Sequence, residues 1–279
     1  MLTKIVQWAQ GEPEIRVVIL EGSRASDCNT DALSDYDLNV FVTDGASFTS
    51  NNHWITIFDD VLVYQKEKFF HKNIEIPTRL VVYENSPKVD FSFWPIEMLH
   101  EIVDSKTLPE HYRNGYKVLL DKDNITQDMP AALFDGFVIG KPTKDEVLTT
   151  IYNFWFETYC IVKYLKRDSL WYAKVLENGP IKRFLLQMIL WHESSKDDWK
   201  NNKIHLEGKN LEEHTDEETK KGIAGCFSTY DKDETWRSLC KMTELFKKFS
   251  HKVIAKLSIE YPGKAIAQIE TYIRQLYNG

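Results

Sequence analysis

The stretch VVILEGSRASDCNTDALSDYDLNVFVTD, residues Val17–Asp44, joins two apolar runs through a polar loop. Apolar, β-branched residues make Ile15–Glu21 a candidate buried strand, and Tyr36–Thr43 is a second one. A glycine and a serine directly follow the first strand, and two aspartates mark the start of the second. The order of strand, polar loop and strand predicts a sheet with polar groups gathered at one end.

The two aspartates, Asp35 and Asp37, are predicted to share one face of the second strand with Asn39. Side chains alternate between the faces of a strand, so residues two apart point the same way. Two carboxylates about 7 Å apart repel each other unless a cation lies between them. Oxygen ligands of this kind suit a hard divalent cation, and Mg²⁺ is the usual one beside phosphates.

The turn after the first strand, Gly22-Ser23-Arg24, is a candidate phosphate site. Glycine lets the backbone approach a ligand closely, and successive N–H groups with a hydroxyl can bind an anion. Arg24 adds a positive charge. A phosphate turn beside paired carboxylates is typical of metal-assisted phosphoryl or nucleotidyl transfer.

A third carboxylate, Asp90, lies within the apolar strand candidate Val89–Trp94. Its face is shared with Ser92 and Trp94, while the flanking residues point into the opposite side. A carboxylate in such a strand is costly unless it is paired or bound to a metal. We expect the compensating charge to be a metal ion shared with Asp35 and Asp37.

The rest of the chain predicts an α+β protein with two domains. Residues 1–140 are predicted to form a mixed sheet flanked by helices, and residues 141–279 a helical bundle, with the boundary near Gly140. Thr143 and Glu146 have the spacing of a helix-capping box. The further elements predicted are the strands Val61–Gln65, Arg79–Tyr83 and Tyr116–Leu120 and the helices Met1–Gln10, Ile96–Val103, Leu170–Glu177, Ile181–Glu193, Thr235–Leu257 and Ala265–Tyr277.

Composition narrows the class of partner. Residues 1–135 hold 22 Asp and Glu against 12 Lys and Arg, which argues against nucleic acid and suits a cationic small molecule or metal ions. The four cysteines are widely spaced and are expected to be free thiols. No signal peptide or membrane-spanning run is evident, so a cytoplasmic protein is expected.

The spacing of Gly-Ser, Asp-x-Asp and a third strand aspartate resembles the nucleotidyltransferase superfamily typified by DNA polymerase β. Within it, the chain resembles the aminoglycoside 6-adenylyltransferases, also called streptomycin adenylyltransferases. The likeness covers nearly the whole chain. It is carried by GSRA (Gly22–Ala25), DYDL (Asp35–Leu38), NHWITIFDD (Asn52–Asp60), VDFSFWPIEML (Val89–Leu99), GKPTKDEV (Gly140–Val147), YAK (Tyr172–Lys174), LLQMILWH (Leu185–His192), Trp236, Phe246 and Tyr261-Pro262.

The resemblance implies transfer of AMP from Mg·ATP to an aminoglycoside hydroxyl with two Mg²⁺ ions. Asp35, Asp37 and Asp90 would be the catalytic and metal-binding residues. The nucleotide would be held by Gly22, Ser23, Arg24 and Lys174. Aminoglycosides are polycations, so carboxylates and aromatic faces are expected at the acceptor site. The candidates for it are Trp54, Tyr152, Trp155 and Glu157.

Structural roles compete with several of these assignments. Tyr152 and Trp155 lie on the predicted apolar stripe of their helix, Glu157 suits a solvated face, and Lys174 suits a plain surface position. Other functions also remain open. The chain could modify another aminoglycoside hydroxyl or a lincosamide, act as a toxin–antitoxin nucleotidyltransferase, or bind ligands without metal or turnover.

Overall fold

The computed structural model describes residues 1–26, 30–113, 115–133, 139–200 and 207–278. The chain divides into two units, Met1–Gly136 and Phe137–Gly279, and the predicted boundary lies four residues beyond this division. Among the described residues, no helix has the length and apolar character needed to cross a membrane. Cys160, Cys226 and Cys240 are free thiols, and Cys28 lies outside the described residues.

The first unit is built on one six-stranded mixed sheet. Its strands are β1 (Ile15–Glu21), β2 (Tyr36–Val42), β3 (Val61–His71), β4 (Ile74–Tyr83), β5 (Ser86–Pro95) and β6 (Tyr116–Asp121). The spatial order is β3-β4-β5-β2-β1-β6. Within the described part of the chain, β2 and β5 pair in parallel and the other neighbouring strands pair antiparallel. The mixed sheet agrees with the predicted fold class.

Alternation along the central strands gives the sheet two buried faces. One face carries Leu38, Val40 and Phe91 against the first helix. The opposite face carries Phe41 and Trp94 within a separate core cluster. The helices of this unit are α1 (Leu2–Gly11), α2 (Ser23–Ser26), α3 (Ala46–Thr49), α4 (Ile96–Ser105) and α5 (Glu110–Arg113), with 3-10 turns at His53–Ile57 and Ile125–Asp128.

The β3–β4 hairpin is longer than predicted. Its strands pair from Val61 with Tyr83 to His71 with Ile74. Lys72 and Asn73 both have positive φ, 47° and 65°, as expected for a two-residue hairpin turn. Because β3 is an edge strand with mostly exposed side chains, charged residues are tolerated there and the apolar pattern ends before the strand does.

The second unit is helical, as predicted. The capping box at its start is formed, because Glu146 N donates to Thr143 Oγ1 over 3.2 Å and Thr143 N donates to Glu146 Oε2 over 2.7 Å. The helices pack around one apolar cluster. They are α6 (Lys144–Lys166), α7 (Leu170–Asn178), α8 (Pro180–Ser195), α9 (Glu217–Ala224), α10 (Lys232–Leu257) and α11 (Gly263–Asn278), with a 3-10 turn at Leu211–Glu213.

Candidate functional site

Three acidic residues form a row across the middle of the sheet. In the parallel pair, Asp37 of β2 lies opposite Asp90 of β5. In the antiparallel pair, Asp37 lies opposite Glu21 of β1. Asp35 precedes β2 by one residue. The structure thus brings together the three aspartates predicted from the sequence, and it adds a glutamate to them.

Lys88 lies between two of these carboxylates. Its Nζ is 2.7 Å from Asp90 Oδ2 and 3.0 Å from Asp35 Oδ2. Partial burial acts to lower the pKa of Lys88, but hydrogen bonds to both carboxylates outweigh it and the pKa is raised. Lys88 is therefore held as a cation at the edge of the acidic row.

The sequence predicted a metal ion as the compensating charge of Asp90, and the structure places the ammonium of Lys88 beside this carboxylate. Lys88 stands two residues before Asp90 on β5, so both side chains project from the same face. Burial still raises the pKa of Asp90 above its ordinary value, although Lys88 acts in the opposite direction. Asp90 Oδ1 is buried without a hydrogen-bond partner among the described residues. One oxygen of this carboxylate is bound to the lysine, and the other has no hydrogen bond to the described residues.

Glu21, like Lys88, is a site residue that the sequence reasoning missed. Burial, followed by the charge of Asp37, raises the pKa of Glu21 to about 8, against the effect of a hydrogen bond with Asn39. Glu21 Oε2 is buried and has no hydrogen-bond partner in the described part of the chain. Strand alternation could have identified Glu21 from the sequence. It is the last residue of β1, lies on the same face as Ile19, and directly precedes the glycine turn.

Asn39 is a buried polar residue on β2, two residues after Asp37, and hydrogen bonds hold its side chain in place. It is 1% exposed, its Oδ1 accepts a 2.7 Å hydrogen bond from Trp94 Nε1, and its Nδ2 donates to Tyr112 Oη over 3.0 Å. These two aromatic residues belong to the core of that sheet face. A buried amide with fixed partners therefore joins the acidic residues to the core beneath them.

Gly22 brings the backbone against Asp37. Its φ is +74°, and a Cβ placed on it would lie 2.6 Å from Asp37 Oδ2. Any other residue would be strained in this conformation and would collide with the carboxylate. Ser23 follows at the start of α2 and is exposed. The turn predicted as a phosphate site thus adjoins the central aspartate.

Arg24 supports the loop before β2. Its Nε donates to the carbonyl of Ser34 over 2.8 Å, and its guanidinium carbon lies 4.2 Å from the centre of the Tyr36 ring. These contacts favour a role in fixing the approach to the acidic row. A phosphate contact by Arg24 would have to be added to these contacts or replace them.

The acidic row lines a cleft of about 230 Å³. The Thr78 and Ser92 hydroxyls lie 3.3 Å apart on its wall. Glu67 and Lys68 of β3 also line it, together with apolar groups from Leu38, Phe69 and Leu80. The cleft is smaller than sites that enclose a drug-sized ligand, so it suits an ion or one polar group of a larger substrate.

The donor chemistry of the row fits a magnesium ion. As they are placed, no three His, Cys, Asp or Glu side chains of the described residues form a metal-binding group. Lys88 takes the position between Asp35 and Asp90. Carboxylate oxygens are nevertheless the ligands that Mg²⁺ prefers, and Asp90 Oδ1 is a buried oxygen with no hydrogen-bond partner assigned to it in the described structure.

Residues 1–276 match the family model described as streptomycin adenylyltransferase. The chain belongs to the streptomycin adenylyltransferase family. It is therefore an enzyme of the nucleotidyltransferase class, which confirms the resemblance found in the sequence. The match extends through the helical unit, so the family relationship is not confined to the sheet that carries the acidic row.

Two relatives named aminoglycoside 6-adenylyltransferase align with nearly the whole chain. An aminoglycoside 6-adenylyltransferase of Campylobacter jejuni is 28% identical over 92% of this chain and 88% of its own. An aminoglycoside 6-adenylyltransferase of Bacillus subtilis is 28% identical over 94% of this chain and 92% of its own. A crystal structure of an aminoglycoside 6-adenyltransferase from Bacillus subtilis aligns over 100% of this chain and 98% of its own, with 24% identity and a TM-score of 0.49.

Trp54, predicted to bind the acceptor, is a core residue of the sheet unit. It is 7% exposed, stacks on Trp8 with ring centroids 5.1 Å apart, and meets Phe91 edge-on at 4.9 Å. Its indole N–H donates to the carbonyl of Phe48 over 3.0 Å. Both the faces and the polar edge of the ring are used internally, which favours packing over ligand binding.

The predicted acceptor residues of α6 divide into buried and accessible ones. Trp155 is 3% exposed and belongs to the core of the helical unit. Tyr152 is 49% exposed, so its assignment to the apolar stripe is wrong. The pKa of Glu157 is raised by burial, and its Oε2 is buried without a hydrogen-bond partner in the described ranges. Tyr152 and Glu157 therefore remain candidates for a ligand contact.

Lys174 is the counter-ion of a buried carboxylate. Its Nζ donates to Glu177, which is fully buried, and to the Ser228 carbonyl and hydroxyl over 3.0 and 2.8 Å. Ser228 Oγ donates in turn to Glu177 Oε1 over 2.8 Å. This closed set of contacts favours a structural role for Lys174 over the predicted phosphate contact.

Proposed function

We propose that this enzyme transfers AMP from Mg·ATP to a hydroxyl of an aminoglycoside, with the 6-hydroxyl of streptomycin as the first candidate. The observation that carries the proposal is the register of Asp37 with Asp90 on parallel neighbouring strands, next to the Gly22 turn. The names of the Campylobacter and Bacillus relatives support the choice of acceptor. Use of ATP also fits the cytoplasmic location expected from the sequence.

Asp35, Asp37 and Asp90 are proposed to hold two Mg²⁺ ions. When bound, these ions would offset the charge of the phosphates and lower the pKa of the attacking hydroxyl. Gly22 and Ser23 would receive the triphosphate at the end of β1. The chain's contribution is to keep these oxygen donors and the phosphate turn on one rigid sheet.

In the proposed reaction, the acceptor oxygen forms a bond to the α-phosphorus of ATP. The bond from that phosphorus to the bridging oxygen breaks, and pyrophosphate leaves. Asp90 is proposed to orient the attacking hydroxyl or take its proton, since Asp90 Oδ1 is buried and no hydrogen-bond partner is assigned to it in the described structure. Tyr152 and Glu157 remain proposed acceptor contacts from the helical unit.

Mass spectrometry of antibiotics incubated with the enzyme tests this function. Streptomycin, a second aminoglycoside and a lincosamide would each be incubated with Mg²⁺ and either ATP or GTP. We expect streptomycin to gain one AMP, and EDTA to prevent the gain. Transfer to the lincosamide alone would replace the proposed acceptor, and transfer to none of them would overturn the proposal.

A further inference from the structure

Lys88 has no role in the mechanism described above, although it contacts two of its carboxylates. It lies on β5, on the cleft side of the sheet, and its side chain is 33% exposed. Its Nζ meets Asp90 Oδ2 at 2.7 Å and Asp35 Oδ2 at 3.0 Å. These residues are separated by 2 and 53 positions in sequence, so the sheet pairing of β2 with β5 creates the bridge.

Lys88 contacts two of the carboxylates that would hold a shared metal ion. Asp35, Asp37 and Asp90 bring three carboxylates close together, and a cation between them offsets their mutual repulsion. The ammonium of Lys88 is hydrogen-bonded to Asp35 and Asp90, so it offsets part of their negative charge. It also occupies one oxygen of each carboxylate that a metal ion could otherwise bind. A metal ion held by Asp35 and Asp90 would therefore compete with the lysine for these carboxylates.

We propose that Lys88 is a built-in competitor of the catalytic metal, which weakens metal binding to the enzyme without nucleotide. The proposal rests on the proposed function, because it takes the three aspartates as metal ligands. Nucleotide shifts the balance, since phosphate oxygens supply further metal ligands and a new anionic partner for the ammonium. Lys88 is then a positioning residue that couples entry of the metal to entry of the triphosphate.

The expected change in metal affinity depends on how often the carboxylates are free of Lys88. If the lysine-bridged arrangement is favoured tenfold over the open one, apparent metal affinity is reduced about tenfold. Replacing Lys88 by methionine keeps a similar length and removes the ammonium. Replacing it by arginine keeps the cation.

Calorimetric titration of the nucleotide-free enzyme with Mn²⁺ tests the competition. Lys88→Met should bind Mn²⁺ about tenfold more tightly than wild type. Lys88→Arg should bind it as weakly as wild type. Lys68→Met is the matched control, because Lys68 lines the cleft of the acidic row but its Nζ pairs with Glu75 Oε2 at 2.7 Å. We expect little change in that variant.

Several outcomes would overturn the proposal. Unchanged or weaker Mn²⁺ binding by Lys88→Met would do so. Equally tighter binding by Lys68→Met would also do so, because the loss of any positive charge near the site would then explain the effect. Thermal unfolding in EDTA checks that each variant folds, and Lys88→Gln replaces the methionine variant if that one does not. Absence of antibiotic modification by wild type would overturn the proposed function, whereas the Mn²⁺ comparison would still stand or fall separately.

Discussion

Asp37 is the residue on which the acidic row depends, because it adjoins Glu21 on one strand and Asp90 on the other. The sequence predicted the three aspartates through strand alternation and the glycine turn. It could not show Lys88 or Glu21 as partners, because their contacts come from pairing between strands rather than from spacing along the chain. Contacts between distant segments are the part of a site that local pattern does not reveal.

Replacing Asp37 by asparagine should suppress nucleotidyl transfer while leaving the fold intact. The substitution keeps the shape and removes one charge from a crowded row. Losing several kcal/mol of charge stabilisation corresponds to a fall in kcat of about 10²–10³-fold. Steady-state kinetics provide the measurement. Asp44→Asn, beyond the other end of β2, is the control and should keep its activity; near-normal turnover of Asp37→Asn would contradict the assignment.

Glu21 should make the stability of the metal-free enzyme depend on pH. Its pKa is about 8 in the folded state against an ordinary value of 4.5, so the folded state holds the extra proton between these values. Between pH 4.5 and pH 8 the folded state binds this proton and the unfolded state does not. The free energy of unfolding therefore falls as the pH rises through this range toward 8. With EDTA present, wild type should lose stability relative to Glu21→Gln from pH 5 to pH 8. Parallel melting curves for the two proteins would contradict this.

The strand ends were predicted best where an apolar run is bounded by polar residues, and worst in the β3–β4 hairpin. β1, β2 and β5 are apolar and bounded by polar residues, and their predicted limits agree with the structure to within a few residues. In β3, the exposed positions carry lysines and a glutamate, so the strand continues where the sequence pattern stops. Pairing with β4, rather than its own periodicity, determines its length.

The turn between β1 and α2 should tolerate only glycine at position 22. Gly22→Ala combines a positive φ with a Cβ contact of 2.6 Å to Asp37 Oδ2. We expect it to lower the free energy of unfolding by about 1–3 kcal/mol and to reduce activity by displacing Asp37. Urea denaturation and kinetics measure the two effects. Gly11→Ala is the control, because nothing lies within 4 Å of its added Cβ; equal behaviour of the two variants would contradict this account of the turn.

Across the whole molecule, the family match over residues 1–276 joins the sheet unit and the helical unit in one enzyme. The change from alternating to helical periodicity predicted two parts of different architecture. It did not predict which helical residues meet a ligand, since an aromatic residue on a helix serves packing and binding equally well. Trp155 and Tyr152 show the ambiguity, because one is buried and the other exposed.

Ligands should stabilise the protein in a set order. Mg·ATP is expected to bind the folded state and so to raise the melting temperature by mass action, and the aminoglycoside should add to that shift. Thermal unfolding with ATP alone, ATP with Mg²⁺, and both with streptomycin measures it. EDTA should remove most of the nucleotide effect. A shift from streptomycin with none from Mg·ATP would contradict a nucleotide site at the Gly22 turn.

The most direct test of the central claim is streptomycin-dependent release of pyrophosphate from Mg·ATP by wild type and Asp90→Asn. Asp90 is proposed to act on the acceptor hydroxyl, while Asp37 contributes more to the metal and nucleotide. We predict that wild type releases pyrophosphate only with the antibiotic present. Asp90→Asn should release almost none while retaining Mg·ATP binding better than Asp37→Asn does. Release without any aminoglycoside, or nearly full activity of Asp90→Asn, would contradict the account.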